Sequence, residues 1–427
     1  MEFLQKLRSV WTDPTLRKRL LFVAAMLVVF RLLATIPIPG IDVEKLQSFL
    51  ANNQFFGLLN IFSGGGISNL SIVMLGVGPY ITGSIIMQLL TMMSPKLKAM
   101  YQEEGEAGRA KFAQYSRLIS VPLALVQAFG FLVLLTRQGV LADLSLFGTI
   151  TNVIIVTTGS LLVMWIGELM TEYGIGNGTS LIIFAGIVAA IPSAASRFIF
   201  TYVYPSFDPS VIPTLLGFLV AAVVIVWGVV IVTEAERPIP VTYAKRVRGM
   251  KVYGGVSTYL PLRVNQAGVI PIIFALSILL FPQMIATILG VVDNVTLHKI
   301  STVMTAIVSN PWVYAVSYFI LVFLFTYFYT AVTFDPETIS TNLQKNGAFI
   351  PGVRPGESTS QHIASVVTRI TLVGATFLAF VAVLPLAMQG LTGNTSLAIG
   401  GTALLIVVSV VLDFIKKIDA QVSMREY

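Results

Sequence analysis

The sequence predicts an all-α protein that crosses a membrane many times, and three observations carry that expectation. Of its 427 residues, 56% are hydrophobic and 11% charged, whereas soluble domains run about 45–50% apolar and about 25% charged. Such a surplus cannot hide in one larger core, because soluble cores stop growing and split into domains. Apolar runs of about 20 residues, the length that crosses hydrocarbon, recur ten times. Lysine and arginine then gather between alternate runs.

The runs lie at 20–38, 73–93, 117–136, 150–170, 180–200, 211–233, 268–290, 312–334, 367–388 and 397–415. Backbone polar groups find no water in lipid, so runs of this length imply helices. The alternating strands of a membrane barrel are absent. The first run follows Arg17-Lys18-Arg19 and ends at Pro37-Ile38-Pro39-Gly40 with no small-x-small cleavage site, so it is expected to be a retained span rather than a signal peptide. Ten spans put both termini on one side. Of the 27 Lys and Arg, 22 fall on that side, 4 on the other, and Arg31 lies inside the first run. The positive-inside rule makes the terminal side cytoplasmic. The net charge of +7 is therefore concentrated on the cytoplasmic face.

Three stretches break the pattern. Residues 57–72 hold Phe62-Ser63-Gly64-Gly65-Gly66 and Ser68-Asn69. They form either an extracytoplasmic loop or a re-entrant segment, the latter tolerated only inside protein or beside a water cavity. The connections 234–267 and 335–366 have about thirty residues each. Loops of that length are functional or disordered. Strand-like composition at 241–245 and 251–259, and turns at Pro351-Gly352 and Pro355-Gly356, predict ordered projections. The runs divide five and five, into residues 1–200 and 201–427. Equivalent halves with an odd number of spans would have inverted topology.

The chemistry is mostly one of absences. There is no cysteine, which removes disulfides, thiolate metal sites and cysteine nucleophiles. His298 and His362 lie outside the apolar runs, so paired-histidine haem is excluded. No Walker loop, HExxH or GxSxG is present, and neither enzyme activity, metal nor cofactor is expected. Gly174-Ile175-Gly176-Asn177-Gly178 follows a membrane span rather than a strand and is expected to be a tight connection. Arg31 has no mid-span acid to pair with. A central arginine costs about 2.5–3.5 kcal/mol by insertion scales, so it should snorkel or cap a buried carbonyl. Isoleucines share helix faces at Ile81/Ile85 and Ile183/Ile187. They could be ordinary packing, or a hydrophobic constriction that excludes water, for which stiff branched side chains are suited.

Several motifs together resemble the SecY family, the large subunit of the bacterial protein-translocation channel. They are Phe30-Arg31-Leu32 with Ile36-Pro37-Ile38-Pro39-Gly40; Phe62-Ser63-Gly64-Gly65; and the stretch from Pro79-Tyr80-Ile81 to Gln88-Leu89-Leu90. Further along come 174–178, Tyr243-Ala244-Lys245-Arg246, Ala267-Gly268-Val269-Ile270-Pro271, and Gly347 through Arg354-Pro355-Gly356. The resemblance runs from about residue 15 to 420. It implies a clamshell of two inverted five-helix halves around an hourglass pore. It further implies a pore ring of Ile81, Ile85, Ile183, Ile187, Ile273 and Ile406. Phe62, Ser63, Gly64, Gly65, Gly66, Ile67 and Asn69 would belong to a plug. A lateral gate between spans two, three, seven and eight would carry Gln88, Gln127, Ser277 and Phe281. Lys245, Arg246, Arg248, Lys251 and Arg354 would dock a SecA motor or a ribosome. The implied partners are SecE and SecG, unfolded preprotein with its signal sequence, and membrane lipid. Thr82-Gly83 and Pro238-Ile239-Pro240 depart from the family pattern, and the second puts local strand geometry in question.

The physics agrees with such a role. A channel for unfolded polypeptide cannot use specific polar ligands and needs a deformable apolar seal, with energy supplied from outside. The competing classes are a secondary transporter or flippase, and a membrane scaffold. Poverty of intramembrane charge, together with projecting basic loops, favours the channel.

Overall fold

The structure, a computed structural model, describes residues 12–39, 60, 63–102, 104–137, 139–141, 145–202, 212–243, 246–248, 251–253, 257–268, 270–290, 295–308, 310–392 and 395–423. A helix occupies every one of the ten apolar runs. They are α1 (Pro14–Leu33), α2 (Gly78–Met93), α4 (Gly105–Arg137), α5 (Leu146–Tyr173), α6 (Gly178–Tyr202), α7 (Ile212–Glu234), α8 (Ile270–Leu289), α10 (Pro311–Thr333), α12 (Glu357–Thr392) and α13 (Thr395–Ser423). Among the described residues, four stretches are long and apolar enough to cross a membrane outright: Gly105–Thr136, Leu146–Tyr173, Pro311–Lys345 and Glu357–Leu384. Gly178–Pro192, Ala222–Glu234 and Ile270–Leu279 are shorter apolar helices.

Local chemistry sets the ends. Asp13 caps α1 by accepting from the Thr15 amide at 2.8 Å, with Pro14 at the first helical turn, where its missing N–H costs nothing. Asn310 does the same for α10 through the Trp312 amide at 3.0 Å, again followed by proline. Between α5 and α6, Asn177 Oδ1 accepts from the Thr179 amide at 3.1 Å, and Thr171 Oγ1 accepts from the Gly178 amide at 2.8 Å. The glycine-rich 174–178 is thus a tight interhelical connection, as expected.

Among the described residues, three α-helices lie outside the ten runs: α3 (Pro95–Gln102), α9 (Val295–Val308) and α11 (Pro336–Lys345). Several runs also extend into charged sequence. α4 begins at Gly105 and carries Glu106, Arg109 and Lys111 before its apolar part. An apolar scan sees only the lipid-facing portion of such a helix.

The two long connections are one unit. β1 (Glu236–Tyr243) pairs antiparallel with β4 (Ser257–Arg263), and its far end pairs with β5 (Ala348–Phe349) from the other connection. β2 (Arg246–Arg248) and β3 (Lys251–Tyr253) form a separate two-stranded ribbon at the tip. Pro238 and Pro240 sit within β1, opposite Pro261 and Tyr259. Pairing to β5 begins only at Thr242, so at both prolines β1 is an edge, where a strand tolerates a missing donor. The strand geometry survives the Pro-Ile-Pro departure. Beneath the sheet, Ile239, Val241, Leu262, Ile350 and Ile363 form a small apolar core.

Candidate functional site

The six isoleucines Ile81, Ile85, Ile183, Ile187, Ile273 and Ile406 come from α2, α6, α8 and α13 and all belong to the large buried core that runs through the helices. None is more than 9% exposed. Neighbours in the cluster include Val77, Leu181 and Tyr318. Helices this close need small contacts. A Cβ on Gly83 would stand 2.9 Å from the Ser116 carbonyl oxygen of α4, so glycine at 83 lets α2 and α4 approach.

Beside this cluster lies the glycine segment, and it is folded inward. Ser63, Ile67, Leu70 and Met74 are each 0% exposed. Ile67, Leu70 and Met74 pack against Leu132 and Leu135 of α4 and against Ile38. Gly64 and Gly65 both have positive φ, 67° and 87°, which side chains rarely adopt. Gly64 sits between two elements. A Cβ on Gly64 would run into the Phe30 ring, and a Cβ on Gly186 of α6 would overlap the Gly64 backbone. The Arg31 guanidinium donates to the Gly64 carbonyl at 3.1 Å. Asn69 is exposed and donates to the Ala34 carbonyl at 3.4 Å. Phe62 lies outside the described residues.

The far end of the segment is fixed. The Ile38 amide donates to Leu70 O at 2.9 Å and the Ile72 amide to Ile36 O at 3.0 Å, around a Pro37–Ser71 bridge. Ser160 of α5 donates to Gly76 O at 2.8 Å. Of 57–72, the described part is mostly buried in protein, the setting that a re-entrant segment requires.

α8 contacts both α2 and α4, which brings the predicted gate helices together. Gln88 Oε1 and Ser277 are buried on this side, and among the described residues Gln88 Oε1 has no hydrogen-bond partner. Gln127 on α4 is half-buried. Phe281 belongs to α8, and only its backbone is described. Gln102 Nε2, at the end of α3, donates at 3.1 Å to Val332 O, one of the carbonyls that the end of α10 leaves unpaired.

On the opposite pole, Arg354 is exposed between the Pro351-Gly352 turn and α12. Its backbone is pinned: Thr359 Oγ1 donates to Arg354 O at 2.8 Å and Ser340 Oγ to Gly356 O at 2.6 Å. Arg246, Arg248 and Lys251 belong to the β2–β3 ribbon, with only their backbones described, and Lys245 lies outside the described residues. Glu168 and Arg117 form an ion pair at 2.6 Å between α5 and α4.

A family model for SecY matches residues 71–415. The chain belongs to the SecY family. Protein translocase subunit SecY of Mycobacterium bovis is 41% identical over 446 residues, covering 100% of this chain and 98% of its own length. Its counterpart from Corynebacterium glutamicum is 41% identical and covers 98% of both. Among solved structures, a protein-conducting channel matches with a TM-score of 0.64 at 19% identity, over 94% of this chain and 92% of its own. Sec61 from the canine ribosome–channel complex of the endoplasmic reticulum matches at 0.59 and 18%, over 94% and 92%. A SecY structure concerned with a plug domain that stabilises the closed translocation channel matches at 0.61 and 18%, over 96% and 93%.

The SecY resemblance had marked the isoleucines, the glycine segment and Arg354. It had not marked Gly186, which with Phe30 clamps Gly64, or Ser160. Gly186 lies in an ordinary apolar run, and no local signal separates it from a glycine facing lipid. Phe30-Arg31 stood inside a noted motif, but only the fold brings it to residue 64.

Proposed function

We propose that this chain is closed at rest by an isoleucine ring with the glycine segment stacked beside it, and opens by parting its two halves. The chain is the channel subunit of a protein translocase. It passes unfolded secretory polypeptides across the membrane and releases membrane-protein segments sideways into lipid. Residues 1–200 and 201–427 act as two inverted five-helix halves of a clamshell, with α2, α4, α8 and α10 lining the lateral gate. Both termini and the β-sheet unit face the cytoplasm, and the membrane is the cytoplasmic one. Lys245, Arg246, Arg248, Lys251 and Arg354 receive a SecA-type motor or a ribosome, whose acidic or RNA surfaces basic loops attract in a salt-dependent way. SecE and SecG complete the complex.

The observation that carries this proposal is that six isoleucines from four helices are buried in the main core, with the glycine segment packed inward beside them. Such a constriction excludes water without a specific ligand, and closes around chains of any sequence. The test is reconstitution with SecE and SecA, followed by protease protection of a secretory substrate. ATP-dependent protection is expected; its absence with both partners bound would refute the proposal.

A further inference from the structure

We propose that Arg31 is a positioning residue, a latch that holds the glycine segment in its closed seat through the Gly64 carbonyl. The inference rests on that segment being the idle-state seal. A guanidinium inside an apolar span is costly and needs a reason to stay. α1 contains no acidic residue. The partner described for Arg31 is a carbonyl of the glycine segment, 3.1 Å away and 33 residues on. The seat is shaped around that bond. Phe30, fully buried, lies under Gly64. Gly186 of α6 presses on its other side. Positive φ at Gly64 and Gly65 sets the carbonyl in a conformation that only glycine adopts freely.

Among the described residues, no other hydrogen bond reaches 63–67 from outside the segment. The remainder are within 60–71: Ser63 Oγ and the Gly65 amide to Asn60 O at 2.9 and 2.8 Å, the Gly66 amide to Ser63 O at 3.4 Å, the Ile67 amide to Ser63 Oγ at 3.2 Å, the Leu70 amide to Ile67 O at 3.0 Å, and the Ser71 amide and Oγ to Gly66 O at 2.9 and 3.0 Å. α1 packs on α5 and α6, so the latch is anchored within the N-terminal half. It does not depend on contact across the gate, and must break separately from gate opening.

The test uses the full chain with SecE in vesicles. The native chain has no cysteine, so Ile67→Cys reports on the segment alone. In that background Arg31→Leu and Arg31→Lys are compared for labelling by a membrane-impermeant maleimide, idle ion leak and thermal unfolding. Losing a charge-assisted bond should raise labelling and leak by on the order of tenfold, while the unfolding temperature holds or rises, because a cation has left an apolar span. Arg31→Lys keeps a point donor and should give a smaller rise. Parental labelling in Arg31→Leu overturns the latch. So does faster labelling that merely tracks a lowered unfolding temperature, which is a general structural effect. Deleting 63–70 in parallel separates the two ideas. Leak in the deletion but not in Arg31→Leu removes the latch and keeps the seal. Leak in neither removes the seal, and labelling alone then decides whether Arg31 holds the segment.

Discussion

Gly186→Ala offers a sharp test of the seal because its two energetic consequences act on different equilibria. In the closed state the new Cβ would overlap the Cα and carbonyl carbon of Gly64. Backbone cannot rotate away as a side chain tip can, so α6 and the segment must separate. Overpacking of this kind costs about 1–3 kcal/mol. Alanine in a helix interior gains up to about 1 kcal/mol over glycine, and keeps that gain whichever way the segment sits. The closed state alone bears the overlap, so the open population should rise by about 5- to 150-fold. Global stability should change by less than the overlap energy. The assay is idle conductance in planar bilayers at fixed potential, beside thermal unfolding of the same preparation. Gly217→Ala on α7 is the control, since nothing stands within 4 Å of its Cβ. Parental conductance in a folded Gly186→Ala channel would refute the reasoning. Equal leak from Gly217→Ala would do the same.

Three further outcomes are expected. Ile81→Asn or Ile406→Asn places an amide, costing about 1–3 kcal/mol to bury unpaired, in the apolar ring; idle ion leak and passage of substrates with defective signal sequences should both rise, and unchanged values count against the ring. Deleting 63–70 should raise idle conductance, and a silent channel would make the segment ordinary packing. Arg354→Glu should cripple SecA-driven transport with the unfolding temperature unchanged, because the side chain is exposed while its backbone is held by Thr359; surviving transport in a protease-protection assay removes Arg354 from the docking surface.

The helices were legible because lipid imposes one simple rule on sequence: a long apolar run must be helical. Their ends were not. α4 starts 12 residues before its predicted run and α12 starts 10 before its own, since a helix continues into water once its charged turns are satisfied there. α9 went unread because its 14 residues mix Thr, Ser, His and Lys with Val and Ile, a composition common to loops. The β1–β5 pairing joins residues 242 and 349, and no local pattern announces a partner so distant. Isoleucines on a shared face were visible, but facing the pore and facing lipid leave the same periodic trace. Gly186 shows the limit most plainly, because its importance lies wholly in Gly64, which reaches it only after the chain has turned inward.

The bonds of the glycine segment divide it into a fixed part and a part able to leave. Residues 70–77 are tied to the rest of the protein by backbone. Leu70 and Ile72 bond to Ile38 and Ile36, and Gly76 O accepts from Ser160. Breaking these would strand buried polar groups, each at about 1–3 kcal/mol. Residues 63–67 bond along the chain to Asn60 on one side and to Leu70 and Ser71 on the other; beyond those chain neighbours, their one described outside partner is Arg31. What restrains them otherwise is packing of Ile67 and the fit of Gly64 between Phe30 and Gly186, both lost smoothly with distance. Leu70, with φ of 41°, stands at the junction in a conformation uncommon for a branched side chain. If this segment is the seal, Arg31 is the one described bond that ties it to a distant element, and the bonds from Leu70 and Ser71 act as its hinge. Displacement should therefore pivot near residue 70 and leave the Pro37–Ser71 bridge in place.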